Sequence, residues 1–434
     1  MSGAPQARSA TGVRTVPPTV ALIGAAGHGE QHLKRLVGLA GAGRVRLIGV
    51  CDVRPVPVPD GVPLYTDHRR LLADRAPQAV VICTPPHTHL PIALDALSAG
   101  CDLLLEKPPV LTLAEHSALS AALAASGRAC QVGFQALGSP ALTRLVEAIA
   151  AGRLGTVTSV AGVGAWWRPD AYFSRAPWSA RRVLDGRPVL DGAIANPFAH
   201  ALMDCLVIAA AAGAGRPEVL AVERYRVLDL EVEDTACLRL RLAGGFDVTL
   251  AVSLRSATFI PGDITVTGTC GSAVLEYPTD RLRLPGQAAM EAVPGRVDLL
   301  ENLLAHRAAR EEGGAPVPLL APLPVTAPFT AVVDALAGGP AAQRIPGRYL
   351  VPHAAATAAG RGPDGPATDG STNGGPANGG PGTDGLAIDG IAELVRRAGD
   401  ERAQFTELGV PWATGAWRSK VSTVEEHDAQ AQPG

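Results

Sequence analysis

The chain has 434 residues, 47% of them hydrophobic and 18% charged, which predicts more than one globular domain and excludes a wholly disordered protein. Lysine and arginine number 38 against 41 aspartate and glutamate residues, and the formal charge of −3 argues against a nucleic-acid-binding protein, which needs a strongly basic face. No apolar run reaches the roughly 18 residues of a membrane span, so we expect no membrane partner.

Cysteine usage and the N-terminal composition favour the cytoplasm. The cysteines are odd in number, widely spaced and without a C-x-x-C pair, which excludes a fully paired disulfide framework and a zinc ribbon. Residues 1–18 are rich in proline, serine and arginine and lack the apolar core of a signal peptide. We expect them to form a flexible tail.

From residue 19 to residue 138, apolar strands alternate with helical stretches. The predicted strands are 19–24, 45–52, 79–86, 101–109 and 129–134, and two clear helices are 90–99 and 113–125. Each strand is apolar over most of its length, as a strand buried on both faces must be. The alternation predicts an α/β domain with a doubly wound parallel sheet.

After residue 138 the pattern changes. Longer strands rich in β-branched residues predict a second, α+β domain over 139–353, whose clearest helix is 197–213 with proline at its first position. Glycine and proline dominate 354–385, which predicts a flexible insert. We expect 386–418 to hold an amphipathic helix that docks onto the body, and 419–434 to be a disordered tail.

The turn after the first strand reads G-A-A-G-H-G. It matches a dinucleotide-binding fingerprint, in which glycines permit a tight turn and close approach of the backbone to pyrophosphate, at Gly24, Ala26, Gly27, His28 and Gly29. Ala26 replaces the middle glycine of the fingerprint. The helix that follows offers free N–H groups and the positive end of its dipole to phosphates. The alternative is a strand–turn–helix that binds nothing.

An acidic residue, Asp52, ends the second strand, where such proteins contact the adenosine ribose, although it follows Gly24 by 28 residues and the usual spacing is about 20. Its carboxylate accepts hydrogen bonds from ribose hydroxyls and disfavours a 2′-phosphate, so the predicted cofactor is NAD. Arg54, two residues further on, leaves NADP open.

Two further motifs, T-P-P-H-T-H (84–89) and A-G-C-D-L-L-L-E-K-P-P (99–109), resemble signatures of the glucose–fructose oxidoreductase, inositol dehydrogenase and rhizopine-catabolism (Gfo/Idh/MocA) family. The resemblance implies an N-terminal Rossmann domain, a C-terminal α+β domain with a large open, mostly antiparallel sheet, and NAD(P)-dependent hydride transfer on sugars, polyols or related small molecules. It also implies homo-oligomers, dimers or tetramers. It assigns places beside the cofactor to Thr84, Pro85, His89, Glu106 and Lys107.

Lys107 is the main catalytic candidate. It follows a parallel strand at its carboxyl end, where open α/β sheets bind ligands, and Pro108 restricts its backbone. A lysine beside a positively charged nicotinamide has its ammonium form disfavoured, which suits proton transfer with a substrate hydroxyl. Glu106 either holds the lysine or contacts the ribose. The alternative is a surface lysine after a strand.

A second element reads N-P-F-A-H, where the resemblance leads us to expect aspartate and histidine four residues apart. His200 is the predicted acid/base partner of the substrate, because the pKa of an unperturbed histidine lies near neutral pH. Asn196 replaces the aspartate; it can position a group but cannot accept a proton. Asp191 and Asp204 lie nearby in sequence and are possible substitutes. The alternative is that His200 is a hydrogen-bonded core residue.

Residues 166–182 concentrate aromatic and arginine side chains that suit hydroxylated or anionic ligands. The substrate-site candidates among them are Trp166, Arg168, Tyr172, Arg175 and Trp178. Packing between loops or subunits explains the same composition equally well.

Histidine pairs at 28/32 and 87/89 raise the question of a metal. No cysteine or carboxylate completes either pair at ligand spacing, so we expect none.

The sequence therefore predicts a cytoplasmic NAD(P)-dependent dehydrogenase that acts on a secondary alcohol of a sugar-like or cyclitol-like small molecule. Two other hypotheses stay open. The first is a dinucleotide-dependent sensor without chemistry, which Ala26 and Asn196 favour. The second is an enzyme that uses hydride transiently, as in redox-assisted glycoside cleavage.

Overall fold

The computed structural model describes residues 16–353 and 385–431. The predicted tail at 1–18 and the predicted insert at 354–385 lie almost wholly outside these ranges. Among the described helices, none combines the length and the apolar character that crossing a bilayer requires.

The first sheet is parallel and six-stranded, in the order β3-β2-β1-β4-β5-β6. Its strands are β1 (Thr19–Ile23), β2 (Arg46–Cys51), β3 (Leu64–Tyr65), β4 (Ala79–Ile82), β5 (Asp102–Leu105) and β6 (Cys130–Val132). Its helices are α1 (Gly29–Gly41), α2 (His68–Arg75), α3 (His89–Ser98) and α4 (Leu113–Ser126). The predicted doubly wound fold is confirmed, and the strand order reverses between β1 and β4, where such sheets open a ligand crevice.

Local chemistry sets the ends of these helices. The Thr112 side chain accepts the N–H of Glu115 at 3.1 Å and begins α4, and Gly127 ends it in the left-handed conformation at φ 62°. Asp67 caps α2 in the same way through the N–H of Arg69. We predicted neither β3 nor α2, because the segment before them is dominated by proline and carries no clear periodicity.

The second sheet is mixed and ten-stranded. Its strands are β7 (Val157–Trp167), β10 (Pro217–Arg226), β11 (Thr235–Leu242), β12 (Asp247–Ser253), β13 (Arg255–Gly268), β14 (Gly271–Glu276), β15 (Arg281–Arg283), β16 (Glu291–Ala292), β17 (Gln343–Arg344) and β20 (Trp417–Lys420). The order is β16-β15-β14-β13-β7-β12-β11-β10-β17, with β20 also paired to β10. Most pairs are antiparallel, but β7–β12 and β10–β17 are parallel.

Two small two-stranded sheets and six further α-helices, with short 3-10 turns between elements, make up the rest of the regular structure in the described residues. The strands of these sheets are β8 (Val183–Leu184) with β9 (Arg187–Pro188), and β18 (Leu350–Pro352) with β19 (Leu386–Ile388). The helices are α5 (Pro140–Ala150), α6 (Ala199–Ala211), α7 (Leu299–Glu312), α8 (Ala327–Ala337), α9 (Ile391–Glu401) and α10 (Val424–Ala431). Helix α6 covers one face of the second sheet, on the side of the first domain.

The opposite face of the second sheet is covered by the chain's own C-terminal segment. Helix α9 packs across β7, β12 and β13, and its buried side chains include Ile391 and Val395. Beyond the helix, Phe405 and Trp412 pack edge-to-face against each other, and Trp412 does the same against Tyr225 of β10 at 4.8 Å between ring centroids. We name residues 386–413 the C-terminal cap.

Our expectation of a disordered tail from residue 419 is wrong over its described part. Strand β20 pairs with β10, and α10 packs against α4 of the first domain. Strand β20 has the sequence W-R-S-K, which is short and mostly polar, as edge strands often are. Such a segment has no apolar pattern from which a strand could be predicted.

The predicted assignment of all residues from 139 to 353 to the second domain also needs correction. Helix α7 packs on β5 and β6 of the first sheet, and Gln131 of β6 forms a backbone bridge to Pro322. Strand β6 is the edge of the first sheet, and this later segment covers it.

A buried ion pair links α7 to the first sheet. Asp102 Oδ2 lies 2.7 Å from Arg307 Nη1 and 2.6 Å from Arg310 Nη2, while Oδ1 accepts the N–H of Ala129. Burial alone raises the pKa of Asp102, but the hydrogen bonds from Arg310, Ala129 and Arg307 outweigh it and lower the pKa.

We expect Asp102→Asn to reduce the free energy of unfolding by about 3 kcal/mol, because it removes the buried carboxylate that pairs with both Arg307 and Arg310. Since the folded-state pKa of Asp102 is depressed, its stabilisation is present above the ordinary carboxyl pKa of about 3.9 and is lost as the pH falls further. Denaturant unfolding at pH 7 and below pH 4 measures both effects.

The control for this experiment is Asp229→Asn, which removes the partner of Arg226 at the surface and should change stability by less than about 0.5 kcal/mol. Equal stability of Asp102→Asn and the native protein at pH 7 would contradict the assigned role.

Candidate active site

The glycine turn follows β1 at the crevice. Gly24 has φ +87°, and a Cβ there would lie 2.4 Å from the carbonyl oxygen of Cys83; a Cβ on Gly29 would lie 2.1 Å from that of Gly24. Close backbone approach therefore requires glycine at both positions, and the positive φ favours it at Gly24 as well. Gly27 also has a positive φ, of +63°, with open space around it.

Asp52 braces this turn. Its Oδ2 accepts the N–H groups of Ala25 at 2.9 Å and Ala26 at 3.0 Å, and its Oδ1 accepts the N–H of Arg54. Burial alone raises the pKa of Asp52, but these backbone hydrogen bonds lower it, so the carboxylate is charged. The predicted contacts of Asp52 and Arg54 with a ribose stay predictions.

Glu106 and Lys107 follow β5 directly, two strands from β1 in the sheet. The side chain of Lys107 is largely buried, with the residue 7% exposed, and burial lowers its pKa to about 8 against the opposing effect of Glu106. A sizeable fraction of this amine is therefore neutral near pH 8, which a proton acceptor requires.

Asn196 holds the Lys107 amine. Lys107 Nζ donates to Asn196 Oδ1 at 2.5 Å and to the Asn196 carbonyl oxygen at 2.9 Å. Asn196 Nδ2 in turn donates to Asp191 Oδ1 at 2.5 Å. The two neighbours fix the orientation of the amide, because its oxygen faces the amine and its nitrogen faces the carboxylate.

This chain of contacts explains the asparagine where the resemblance led us to expect aspartate. An aspartate at 196 would put a second carboxylate against Asp191, and like charges so close cannot both ionise. The negative charge is present one hydrogen bond further from Lys107, at Asp191. Of the two substitutes named from sequence, Asp191 is in the network; Asp204 is fully buried in α6, and burial raises its pKa well above the usual range.

The predicted helix 197–213 begins two residues later than expected. Helix α6 starts at Ala199 and not at Pro197, so Asn196 lies in the turn that precedes it and does not share a helix face with His200. His200 lies in the first turn of α6, near Lys107.

His200 is buried, and neither ring nitrogen has a hydrogen-bond partner in the described part of the chain. Burial and the charge of Lys107 lower the pKa of His200 to about 3. The ring is therefore neutral at pH 7. His200 can donate or accept a hydrogen bond there, but it carries no positive charge. Its acid/base role stays a prediction.

Arg175 and Asp191 form a second layer behind Asn196. Arg175 Nη2 lies 3.0 Å from both Asp191 oxygens, and its guanidinium lies 4.0 Å from the Tyr172 ring centroid and 4.9 Å from that of Trp178. These residues of the predicted substrate cluster thus support the lysine network; their contact with substrate is untested.

Trp166 and Arg168 lie at the end of β7. Trp166 packs on Phe198 at 4.2 Å between ring centroids, just before α6, and the Arg168 guanidinium lies 5.1 Å from the Trp166 ring. Both side chains are buried, which fits a packed wall better than a mobile lid.

His89, at the start of α3, ties two predicted cofactor segments together. Its Nε2 lies 2.8 Å from the carbonyl oxygen of Thr84, and its Nδ1 lies 2.9 Å from that of Pro108. The ring is buried, so His89 supports the Thr84–Pro85 turn and the residues after Lys107 from behind.

Glu106 lies beside His28 of the glycine turn and beside two residues for which we predicted no site role, His32 and Gln135. Its Oε1 lies 2.8 Å from His32 Nε2, 3.8 Å from His28 Nε2 and 3.1 Å from Gln135 Nε2. A Cβ on Gly133 would lie 2.7 Å from the same oxygen, so glycine there leaves room for the carboxylate. Only the spacing of His32 from the glycine turn could have signalled this cluster.

Burial alone lowers the pKa of His32, but hydrogen bonds to Cys83 and Glu106 raise it to about 10. The same contact with His32 lowers the pKa of Glu106 against the effect of burial. A charged pair therefore lies at the base of the crevice. The expectation that no carboxylate completes the 28/32 histidine pair was wrong, because Glu106 is 74 residues from His32 in sequence.

We expect Asp191→Asn to lower turnover about tenfold or more, because the Asn196 amide loses its charged acceptor. Asp191 raises the pKa of Lys107 in the native protein, so the variant should also shift the pH–rate midpoint to lower pH. Rates measured from pH 6 to pH 10 test both effects, with Asp229→Asn as the control. A reduced rate with an unmoved midpoint would assign Asp191 a purely structural role.

Fold and site together define a two-domain protein with a dinucleotide crevice. A family model described as an oxidoreductase family with an NAD-binding Rossmann fold matches residues 19–134, and a GFO/IDH/MocA C-terminal domain matches 142–274. The chain belongs to the GFO/IDH/MocA oxidoreductase family, and its N-terminal domain is an NAD-binding Rossmann domain. The predicted family, fold class and NAD cofactor are confirmed.

Curated relatives match over less than half of the chain. Inositol 2-dehydrogenase 1 of Saccharopolyspora erythraea is 31% identical over 144 residues, which is 31% of this chain and 42% of that protein. The scyllo-inositol 2-dehydrogenase (NAD(+)) of Bacillus subtilis is 36% identical over 89 residues, 20% of this chain and 26% of that protein. The chain thus spans less than half the length of these relatives.

Solved structures match more widely. The WlbA dehydrogenase from Bordetella pertussis, in complex with NADH and UDP-GlcNAcA, has a TM-score of 0.59 at 20% identity and covers 76% of this chain and 100% of its own. GenD2 from gentamicin A biosynthesis, in complex with NAD, has a TM-score of 0.52 at 26% identity over 60% of this chain and 72% of its own. The first likeness shows the fold alone.

Proposed function

We propose that this protein is an NAD(P)-dependent dehydrogenase that oxidises a secondary alcohol of a sugar, a cyclitol or a related small molecule, or runs the reverse reaction. The observation that carries the proposal is the buried Lys107 amine, held by Asn196 at the carboxyl edge of the parallel sheet. The names of the inositol dehydrogenases that this chain resembles support the substrate class.

The glycine turn fits a dinucleotide. The N–H groups of Ala25 and Ala26 already bind a carboxylate oxygen, that of Asp52, so the turn accepts an anion. The N–H groups of Gly27 and His28 have no protein acceptor within residues 16–353 and 385–431. These groups and the positive end of the α1 dipole would hold the pyrophosphate.

The bound nicotinamide ring would supply the hydride acceptor or donor. In the oxidative direction, neutral Lys107 Nζ accepts the proton of the reacting hydroxyl, and its low pKa makes that transfer feasible near pH 8. Asn196 keeps the amine in place through two hydrogen bonds, and Asp191 keeps Asn196 in place. Neutral His200 serves as a hydrogen-bond partner for the substrate.

The first experiment is a titration of the purified protein with NAD and with NADP, followed by a screen of polyols and sugars at the absorbance band of the reduced nicotinamide. We expect NAD to bind more tightly than NADP, because Asp52 is charged and buried beside the turn. Failure to bind either dinucleotide would overturn the proposal.

The same screen separates the other hypotheses. Dinucleotide binding without turnover on any substrate indicates the sensor, and release of a sugar without net reduction of the cofactor indicates redox-assisted glycoside cleavage. In the sequence, Asn196 in place of aspartate favoured the sensor hypothesis. The structure weakens that argument, because Asp191 supplies a carboxylate to the same hydrogen-bond network.

We further propose a cytoplasmic homo-oligomer, a dimer or tetramer, with neither nucleic acid nor membrane as partner. The seven cysteines are all free thiols, six of them at least partly buried, in keeping with a reducing compartment. Analytical ultracentrifugation tests the assembly, and a monomer at micromolar concentration would contradict it.

A further inference from the structure

The cluster at the base of the glycine turn has the composition of a metal site. His28 precedes α1 and His32 lies in its first turn, so the two imidazoles lie four residues apart and face the same side. Glu106 reaches them from the end of β5. Donor atoms of His28, His32 and Glu106 lie within 4.8 Å of one another.

The distances suit a small tetrahedral ion. Zinc bound at about 2.0–2.2 Å by histidine and carboxylate places neighbouring donors about 3.3 Å apart. Glu106 Oε1 is 2.8 Å from His32 Nε2 and 3.8 Å from His28 Nε2, so shifts of about half an ångström bring both pairs to that separation.

The cluster also has a path for an ion to enter. Side-chain exposure falls from 38% at His28 to 13% at His32 and 5% at Glu106, so one ligand lies at the mouth and two lie inside. Outer hydrogen bonds hold the carboxylate, because Glu106 accepts the N–H of Lys107 at Oε2 and the amide of Gln135 at Oε1. Such outer contacts orient metal ligands in proteins.

We propose that His28, His32 and Glu106 bind Zn²⁺ or a similar divalent transition-metal ion, and that this ion and the dinucleotide exclude each other from the crevice. The positive end of the α1 dipole and the Lys107 amine disfavour binding of a cation at this cluster. The negative charge of the Glu106 carboxylate offsets this repulsion. The exclusion rests on the proposed dinucleotide site; the metal binding does not.

The first arm measures Zn²⁺ binding to the cofactor-free protein by competition with a chromogenic chelator, and binding of Co²⁺ by its visible absorption. All proteins carry Cys270→Ser, because Cys270 is the exposed thiol. We expect one ion per chain, and more than about tenfold weaker binding in His28→Gln and Glu106→Gln. His427→Gln, on α10, is the matched control and should bind as the parent does.

Because His28 is partly exposed, its variant should keep the parent's thermal stability, so weaker binding there reflects a lost ligand and not unfolding. Absence of stoichiometric binding, or equal binding by the parent and both variants, would overturn the metal site.

The second arm repeats the zinc titration at increasing NAD concentration. A rising apparent dissociation constant for zinc supports mutual exclusion, and a constant value overturns it. If the protein binds no dinucleotide, the separate dinucleotide titration contradicts the proposed function. The first arm still tests the metal site in that case.

Discussion

Replacing Lys107 with alanine should lower turnover about 10²- to 10⁴-fold while leaving dinucleotide affinity nearly intact. The amine is the group in the crevice whose pKa, about 8, allows it to take a proton near neutral pH. Its loss removes proton transfer but leaves the glycine turn and Asp52 unchanged. Steady-state rates and dinucleotide titrations on the same preparation separate the two effects.

Lys34→Ala is the control, since Lys34 is an exposed lysine on α1 and should leave both quantities unchanged. A small primary amine added to Lys107→Ala should restore part of the rate, because it supplies the missing base in the vacated space. Near-normal turnover of Lys107→Ala without added amine would remove Lys107 from the mechanism.

Removing the C-terminal cap should leave the second domain unable to stay folded and monodisperse. Each buried apolar side chain contributes about 1.5–3 kcal/mol. The cap buries at least five such side chains against the sheet, namely Ile391, Val395, Phe405, Leu408 and Trp412. Their sum approaches the whole stability of a typical domain, about 5–15 kcal/mol.

A deletion from residue 386 also removes β20 and α10, so a point variant makes the sharper test. Phe405→Ala should lower the free energy of unfolding by about 3–5 kcal/mol, because the ring is fully buried between the sheet and Trp412. Glu393→Ala, on the exposed side of α9, should change it by less than about 0.5 kcal/mol. Equal effects of the two variants in denaturant titrations would show that the cap does not stabilise the sheet.

The first domain was largely predictable because its signals are local. Buried parallel strands such as β1 and β4 are almost entirely apolar, and Thr112 and Gly127 mark the ends of α4 in the sequence itself. Short elements such as β3 escaped, since two residues carry no periodicity.

The candidate site was predictable only in part, because its decisive contacts join distant residues. Lys107 and Asn196 are 89 residues apart, and His32 and Glu106 are 74 apart. We predicted Lys107 and Asn196 as separate site residues from the sequence. Their hydrogen bond, and the orientation of the Asn196 amide by Asp191, cannot be inferred from the spacing of these residues along the chain. The attachment of α7 to the first sheet escaped for the same reason, since Arg307 meets Asp102 across 205 residues.

The pairing of β18 with β19 has a practical consequence. Val351 lies opposite Ala387 and Pro352 opposite Leu386, so the two ends of the stretch between these strands lie side by side. The entropic penalty of closing such a loop grows only slowly with its length. A reporter protein inserted between residues 353 and 385 would therefore have its two ends at adjacent points, and we expect it to leave both large sheets intact.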